Sequence, residues 1–230
     1  MRHDLALGQI PPDLPLLAGV GPCQSPCFDV ACLSYEDGDL ISADGPFGAA
    51  AAYLVEGRVD GCTYDAEGNR SILHVFLPGR LLARAAAPDV PQPIFELVAR
   101  GSCRLVVLGS DRPAHACECA AACTAAIARN VARAAAGLEA DLLAALEVRT
   151  RRSARGKILA YLQYEARRQG SASVEVPLAR QELADYLCMD RVTLSRELKT
   201  LRDEGQFDFD RNRFDLHLRP PKVHDRPGRR

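Results

Sequence analysis

Two groups of residues in this sequence have types and spacings that could do chemistry. The first lies between Arg180 and Lys199. Wound as a helix with Leu194, Leu198 and Leu201 inward, the stretch after Asp190 turns Arg191, Val192, Ser195, Arg196 and Lys199 outward, with Thr193 beside them. Arginine can hold a guanine edge through two hydrogen bonds, a discrimination of about 1–3 kcal/mol. Val192 can only touch a thymine methyl or contribute shape. Arg180 and Gln181 open the preceding helix, where backbone N–H groups also favour an anion, and they suit duplex phosphates. The second group is cysteine. Cys23, Cys27 and Cys32 form one cluster, Cys117, Cys119 and Cys123 another, and Cys119 and Cys123 are four apart on a helix face. Thiolates there suit an iron–sulfur cluster or another metal, or reaction with an oxidant. Cysteine also buries as a small apolar side chain. All three readings stay open.

The nine cysteines are an odd number, which argues against a disulfide scaffold. Cys103, in a strand, and Cys188, in a helix turn, read as packing residues. His74 and His115 stand alone, which gives no support for haem. No Cys/His or Ser/His pairing suggests a nucleophile with its base, so the chain is not expected to be an enzyme.

The elements that must position the first group are legible. Leu183, Ala184 and Leu187 precede a short Cys188-Met-Asp turn, and Leu194, Leu198 and Leu201 follow it, which is helix-turn-helix spacing. Ala184 is small where two helices approach, Asp190 can cap the second helix, and Gly205 can end it. Phe207 to Leu216 alternates around an Asn-containing turn and predicts a β-hairpin wing. Lys157 to Arg168 is amphipathic, and Ser173-Val-Glu-Val is extended.

Upstream the texture changes. Short β-type runs fill Tyr35 to Leu108, separated by turn signals at Glu36-Asp-Gly-Asp, Glu56-Gly, Asp65-Ala-Glu-Gly-Asn and Leu77-Pro-Gly. They predict a sandwich, roll or barrel. From Cys117 to Val148 Ile127, Val131, Leu138, Leu142 and Leu146 recur at helical spacing. Their narrow stripe favours a helix that pairs with a copy of itself over one packed on its own domain.

Charge divides the same way. Residues 151–230 carry 18 Lys/Arg against 12 Asp/Glu, and residues 1–150 carry 11 against 18, so only the C-terminal part suits a polyanion. No apolar run reaches membrane-span length and no signal peptide opens the chain. The expected location is the cytoplasm, with no membrane partner.

Arg180-Gln-Glu-Leu-Ala-Asp-Tyr-Leu, Asp190-Arg191, Leu194-Ser-Arg-Glu-Leu and Arg202-Asp-Glu-Gly resemble the winged helix of the Crp/Fnr regulators. Pro15-Leu-Leu-Ala-Gly-Val, Tyr35-Glu-Asp-Gly-Asp-Leu-Ile, Leu54-Val-Glu-Gly-Arg-Val and Gly68-Asn-Arg-Ser-Ile-Leu are similar to the start and β-roll of that family. The resemblance implies an α+β chain. Residues 1–116 would form a β-roll (jelly-roll) effector domain, 117–148 a dimerisation helix and 149–218 a winged helix-turn-helix, with 219–230 a disordered tail. It also implies a homodimer on a pseudo-palindromic site of double-stranded DNA, its recognition helices about 34 Å apart, and RNA polymerase as a partner.

The departures carry information. Members that bind cyclic nucleotides use a Gly-Glu pair for the ribose and an Arg-Ser pair for the phosphate. This chain reads Arg80-Leu-Leu-Ala-Arg84 at the first position and Pro93-Ile94 at the second. Arg80, Leu82, Arg84, Pro93 and Ile94 are thus the candidate effector-pocket residues, and their chemistry argues against cyclic AMP. Val192 stands where many members carry Glu, so the operator is expected to differ. Some members hold an iron–sulfur cluster on N-terminal cysteines and one distant cysteine, but the spacings here are different. The alternatives to a regulator are a thiol- or metal-dependent enzyme and a protein-partner module whose winged helix is degenerate.

Overall fold

The structure, a computed structural model, describes residues 3–4, 14–20, 29–41, 51–83, 95–109 and 120–217. The chain divides into two compact units, Met1–Ala145 and Leu146–Arg230. The architecture is α+β, with an antiparallel sheet in the first unit and a three-helix, three-strand domain in the second.

The first unit contains β1 (His3–Asp4), β2 (Asp29–Tyr35), β3 (Ala51–Tyr64), β4 (Arg70–Phe76), β5 (Leu81–Ala83) and β6 (Glu96–Gly109). They run in the order β1-β2-β6-β3-β4, with β5 also on β3, and every pairing is antiparallel. The turn signals at 65–69 act as expected. The Asp65 carboxylate accepts the backbone N–H groups of Glu67 (3.1 Å) and Asn69 (2.8 Å) and the Asn69 amide (2.9 Å). These bonds, the Asn69 amide first, hold its pKa below the usual value. Glu36-Asp-Gly-Asp closes through Asp39, which accepts from the Glu36 N–H at 2.9 Å.

The Glu56-Gly signal has a different outcome. It does not end a strand but bends one, because β3 continues to Tyr64 with register shifts on both sides of Glu56. Gly57 takes φ +86°, and a β-carbon there would stand 2.5 Å from the Ser102 carbonyl oxygen and 2.6 Å from Cys103 Sγ. Only glycine allows β3 and β6 to approach this closely at the bend. Cys103 is buried at the same place and its thiol points to the Arg58 carbonyl at 3.0 Å, so it is a packing residue as expected. Just beyond the bend Asp60, fully buried, accepts from Arg58 on its own strand (3.0 Å) and from Arg100 across on β6 (2.9 Å).

Two clusters line the sheet. One holds Leu33, Leu54, Val59, Phe76, Leu82, Leu105 and Val107, and the other Leu14, Leu16, Cys32, Tyr53, Val106 and Leu108. Helix α1 (Ala120–Arg149) packs on both, through Leu138 on the first and Ile127 and Val131 on the second. Asn130, buried on this helix, donates to the carbonyls of Leu16 (3.1 Å) and Ala18 (2.8 Å) and so holds the short turn Pro15–Leu17. The stripe assigned to self-pairing is therefore divided. Ile127, Val131 and Leu138 serve the chain's own domain, whereas Leu142 and Leu146 are 45% and 58% exposed, and Leu143, outside the stripe, is 60% exposed beside them.

The second unit contains α2 (Ala154–Gln169), β7 (Ser173–Glu175), α3 (Arg180–Leu187), α4 (Arg191–Asp203), β8 (Phe207–Asp210) and β9 (Arg213–Leu216), with strand order β7-β9-β8. Ser153 caps α2 by accepting from the Gly156 N–H, and Gly170 ends it in the left-handed region. The core joins Ile158 and Leu162 of α2 to Leu183 and Leu187 of α3, Leu194, Leu198 and Leu201 of α4, and Phe207 and Phe214 of the hairpin.

Candidate nucleic-acid interface

The angle between α3 and α4 is set by the three residues that join them. Cys188 adopts φ +51°, and the Met189 N–H returns to the Ala184 carbonyl at 3.1 Å. Ala184 is fully buried, as its small size requires. Lys157 of α2 donates to the carbonyls of Leu187 (2.9 Å) and Cys188 (3.3 Å), placing an ammonium at the negative end of α3. Sequence reasoning missed this lysine, since its partners are backbone atoms far along the chain. Cys188 corrects an expectation: it is exposed in this turn and is not a packing residue. Its left-handed backbone turns the side chain out of the core.

Asp190 caps α4 as expected. Its carboxylate accepts from the Thr193 N–H and the Thr193 hydroxyl, both at 2.7 Å. The hydroxyl bond is the main cause that holds its pKa below the ordinary 3.8. A depressed folded pKa means that the stabilisation is present above the unfolded value and disappears as pH falls through the folded one. Asp190→Ala is therefore expected to lower the melting temperature near neutrality, while Asp190→Asn keeps the cap. The gap between wild type and Asp190→Ala should close below about pH 3.8, measured by thermal unfolding across pH.

With its start fixed, α4 buries Leu194, Leu198 and Leu201 and exposes the opposite face. Arg191, Ser195, Arg196 and Lys199 are exposed, and Val192 is 76% exposed. An apolar side chain this open has no packing role in the fold. None of Arg191, Arg196 and Lys199 is ion-paired among the described residues, so all three cations are available. The Ser195 hydroxyl donates to the Arg191 carbonyl at 2.8 Å, which leaves its oxygen free to accept. Thr193 is half-buried, its hydroxyl engaged by the cap.

The two residues assigned to phosphates are placed differently. Gln181 is exposed at the start of α3 and donates to Asp185 at 2.8 Å. Arg180 is only partly exposed and faces the wing. Its guanidinium lies 5.1 Å from the ring centres of both Phe209 and Phe214 and donates to the Arg211 carbonyl. The guanidinium of Arg180 is thus turned toward the aromatic underside of the hairpin. The cations exposed nearby are instead Arg211, at the tip, and Arg213.

In the first unit, Leu82 is part of the sheet core. Arg80 approaches Asp141 of α1 at 3.4 Å and so finds on the helix the acid that its own segment lacks. Arg84, Pro93 and Ile94 lie outside the described residues, as do Cys23, Cys27, Cys117 and Cys119. Cys32 and Cys123 are buried, and burial raises the Cys32 thiol pKa, which disfavours the thiolate. The described residues contain no group of three or more His, Cys, Asp or Glu able to hold a metal ion. Nor does any helix among them have the length and apolarity to cross a membrane.

Comparison with known proteins places this geometry. The Crp-like helix-turn-helix domain family matches residues 156–220. Among solved structures, FixK2 from Bradyrhizobium japonicum is 21% identical, with a TM-score of 0.61 over 83% of this chain and 93% of its own. A cyclic nucleotide-binding domain containing protein from Listeria monocytogenes EGD-e is 16% identical, with a TM-score of 0.65 over 81% and 89%. A CooA variant from Carboxydothermus hydrogenoformans is 15% identical, with a TM-score of 0.62 over 84% of each chain. Curated protein sequences gave no match. Residues 156–220 thus match the Crp-like helix-turn-helix domain family, and the chain shares the fold of these three solved structures.

Proposed function

We propose that this protein is a sequence-specific DNA-binding regulator that acts as a homodimer on a pseudo-palindromic operator. The observation that carries this is the α4 face: three exposed cations with no ion pair among the described residues, a serine acceptor and an exposed valine, held against a fully buried leucine stripe. Such a helix enters a major groove with its N-terminal residues at base edges. Arg191 and Arg196 would read guanine, Val192 a thymine methyl, Ser195 an amino group, and Gln181 and Lys199 the flanking phosphates. Selection of bound duplexes from a random library by the full-length protein tests this directly. A shared half-site motif, repeated in inverted orientation, supports the reading. Binding that is salt-sensitive but blind to sequence would overturn it.

Leu142, Leu143 and Leu146 support the dimer, since three neighbouring exposed leucines on one helix are what a self-pairing surface requires. Leu143→Glu is expected to leave the fold intact, because that side chain is already in water, and to yield a monomer in sedimentation. A dimer that persists would move the interface elsewhere. The first unit would gate the dimer through α1, the helix that packs on its sheet through Ile127, Val131 and Leu138. The absence of an acid in Arg80-Leu-Leu-Ala-Arg84 supports an effector other than cyclic AMP.

A further inference from the structure

The arginine that sequence reasoning gave to DNA has another task. The wing is a short hairpin of two four-residue strands, β8 and β9, with only the three-residue β7 paired to β9, so its orientation depends on side-chain contacts as well. Its underside is aromatic. Phe207 and Phe214 are fully buried, and Phe209 stacks on Phe214 at 5.5 Å between ring centres. Arg180, the first residue of α3, lies 5.1 Å from the centres of both Phe209 and Phe214. Its Nη2 donates to the carbonyl of Arg211, the tip residue, which itself sits at φ +48°. A second guanidinium, Arg202 at the end of α4, lies 5.3 Å from Phe209. Two arginines from the two helices of the DNA-reading motif thus converge on one ring of the wing.

The electrostatics agree with the geometry. Nη1 of Arg180 is buried and has no hydrogen-bond partner, and burial lowers the pKa of the group. No carboxylate ion-pairs with it among the described residues. A partly buried cation with no carboxylate partner among the described residues is stabilised by the negative faces of aromatic rings. A lysine could not replace it. Its ammonium carries the charge but has no planar face to lie on two rings while reaching a carbonyl.

We propose that Arg180 is a positioning residue that fastens the wing to the helix-turn-helix, and so aims the exposed Arg211 and Arg213 at the duplex backbone beside the groove that α4 enters. The part that concerns DNA rests on the function proposed above; the fastening does not. The outer face of the hairpin carries Asp208, Asp210 and Asp215 against Arg213, so it repels phosphate as a surface. The exposed cations of the hairpin are Arg211, at the tip, and Arg213 beside it, which also lies 3.7 Å from Asp215, and what they reach depends on the angle at which the hairpin is held.

Hydrogen exchange of the full-length protein without DNA separates the two parts. In Arg180→Lys and Arg180→Gln alike, amides of residues 207–216 should exchange about three- to thirty-fold faster, the range for a lost cation–π contact. Amides of α2 and α4 should not change. Wing exchange unaltered in both variants, or acceleration spread evenly over the domain, overturns the fastening. Affinity for a library-selected duplex then tests its consequence. Arg180→Lys should weaken binding as much as Arg180→Gln does, and should add nothing in a Phe209→Leu background. If Arg180→Lys binds as the wild type does while Arg180→Gln lowers the salt slope by about 0.9, Arg180 is a phosphate contact and the proposal fails.

Discussion

Arg196→Ala is expected to remove sequence preference while leaving binding to DNA as such. Arg196 is exposed on the second turn of α4, has no ion pair among the described residues, and stands one turn beyond Val192. A bidentate arginine–guanine contact is worth about 1–3 kcal/mol, roughly five- to 150-fold at one half-site. A dimer would lose that factor twice, which brings specific affinity down to the level of sequence-blind binding. The dimer should persist, because Arg196 has no part in α1. Lys199→Ala is the informative contrast. It should reduce the slope of log affinity against log salt by about 0.9 per site and keep the ranking of operator variants. Titration of the selected duplex and of a scrambled one, at several salt concentrations, reads both effects. If Arg196→Ala still prefers the selected duplex by the wild-type factor, α4 does not read that sequence.

Gly57→Ala should be the most damaging single methyl in the first unit. Two costs combine. A left-handed backbone costs a non-glycine residue about 1–2 kcal/mol, and Gly57 takes φ +86°. The new carbon would also stand 2.5 Å from the Ser102 carbonyl oxygen, 2.6 Å from Cys103 Sγ and 2.9 Å from Cys103 Cα. Two of these are backbone atoms of β6, so relief requires the strands to part at the bend. The thiol bond to Arg58 and the Asp60 ion pairs, both beside the bend, would be disturbed with them. Together this amounts to about 3–5 kcal/mol, a loss typical of overpacking joined to strain. Gly38→Ala provides the control. It has the same φ of +86° but open space around the β-carbon, so it should lose only the backbone component. Thermal or denaturant unfolding of the two variants separates clash from strain. Equal destabilisation would mean that β3 and β6 are not in close contact at Gly57.

The winged helix was readable in the sequence because its determinants are local. Leucines three and four apart, an alanine at the crossing, an aspartate cap and an alternating hairpin each act within a few residues of chain. The structure reproduces them at Leu194, Leu198, Ala184, Asp190 and Phe207–Leu216. The exposed face of α4 followed from the same periodicity. The turn between β3 and β4 was legible too, since Asp65 and Asn69 need only each other.

The rest depended on partners that are distant in sequence. Glu56-Gly57 carries the composition of a turn, but Ser102 and Cys103 on another strand make it a bend in a continuous one. The stripe on α1 has the period of a self-pairing helix, yet periodicity cannot name the surface that covers it. Tertiary packing divides it, with Ile127, Val131 and Leu138 on the sheet and Leu142 and Leu146 left open. Arg80 lacked an acid in its own segment and meets Asp141 on the helix.

Arg180 illustrates the division most clearly. Its position at the start of α3, beside a basic recognition helix, follows from spacing alone. Its direction does not, because a long side chain is oriented by whichever nearby surface best replaces its water. Here that surface is Phe209, Phe214 and the Arg211 carbonyl, which lie about thirty residues further along the chain and are brought beneath it only when the wing folds back. The sequence by itself therefore determined the motif, its cap and the exposed face of α4. Only the tertiary structure decided which arginines stay exposed on that face and which is turned onto the wing.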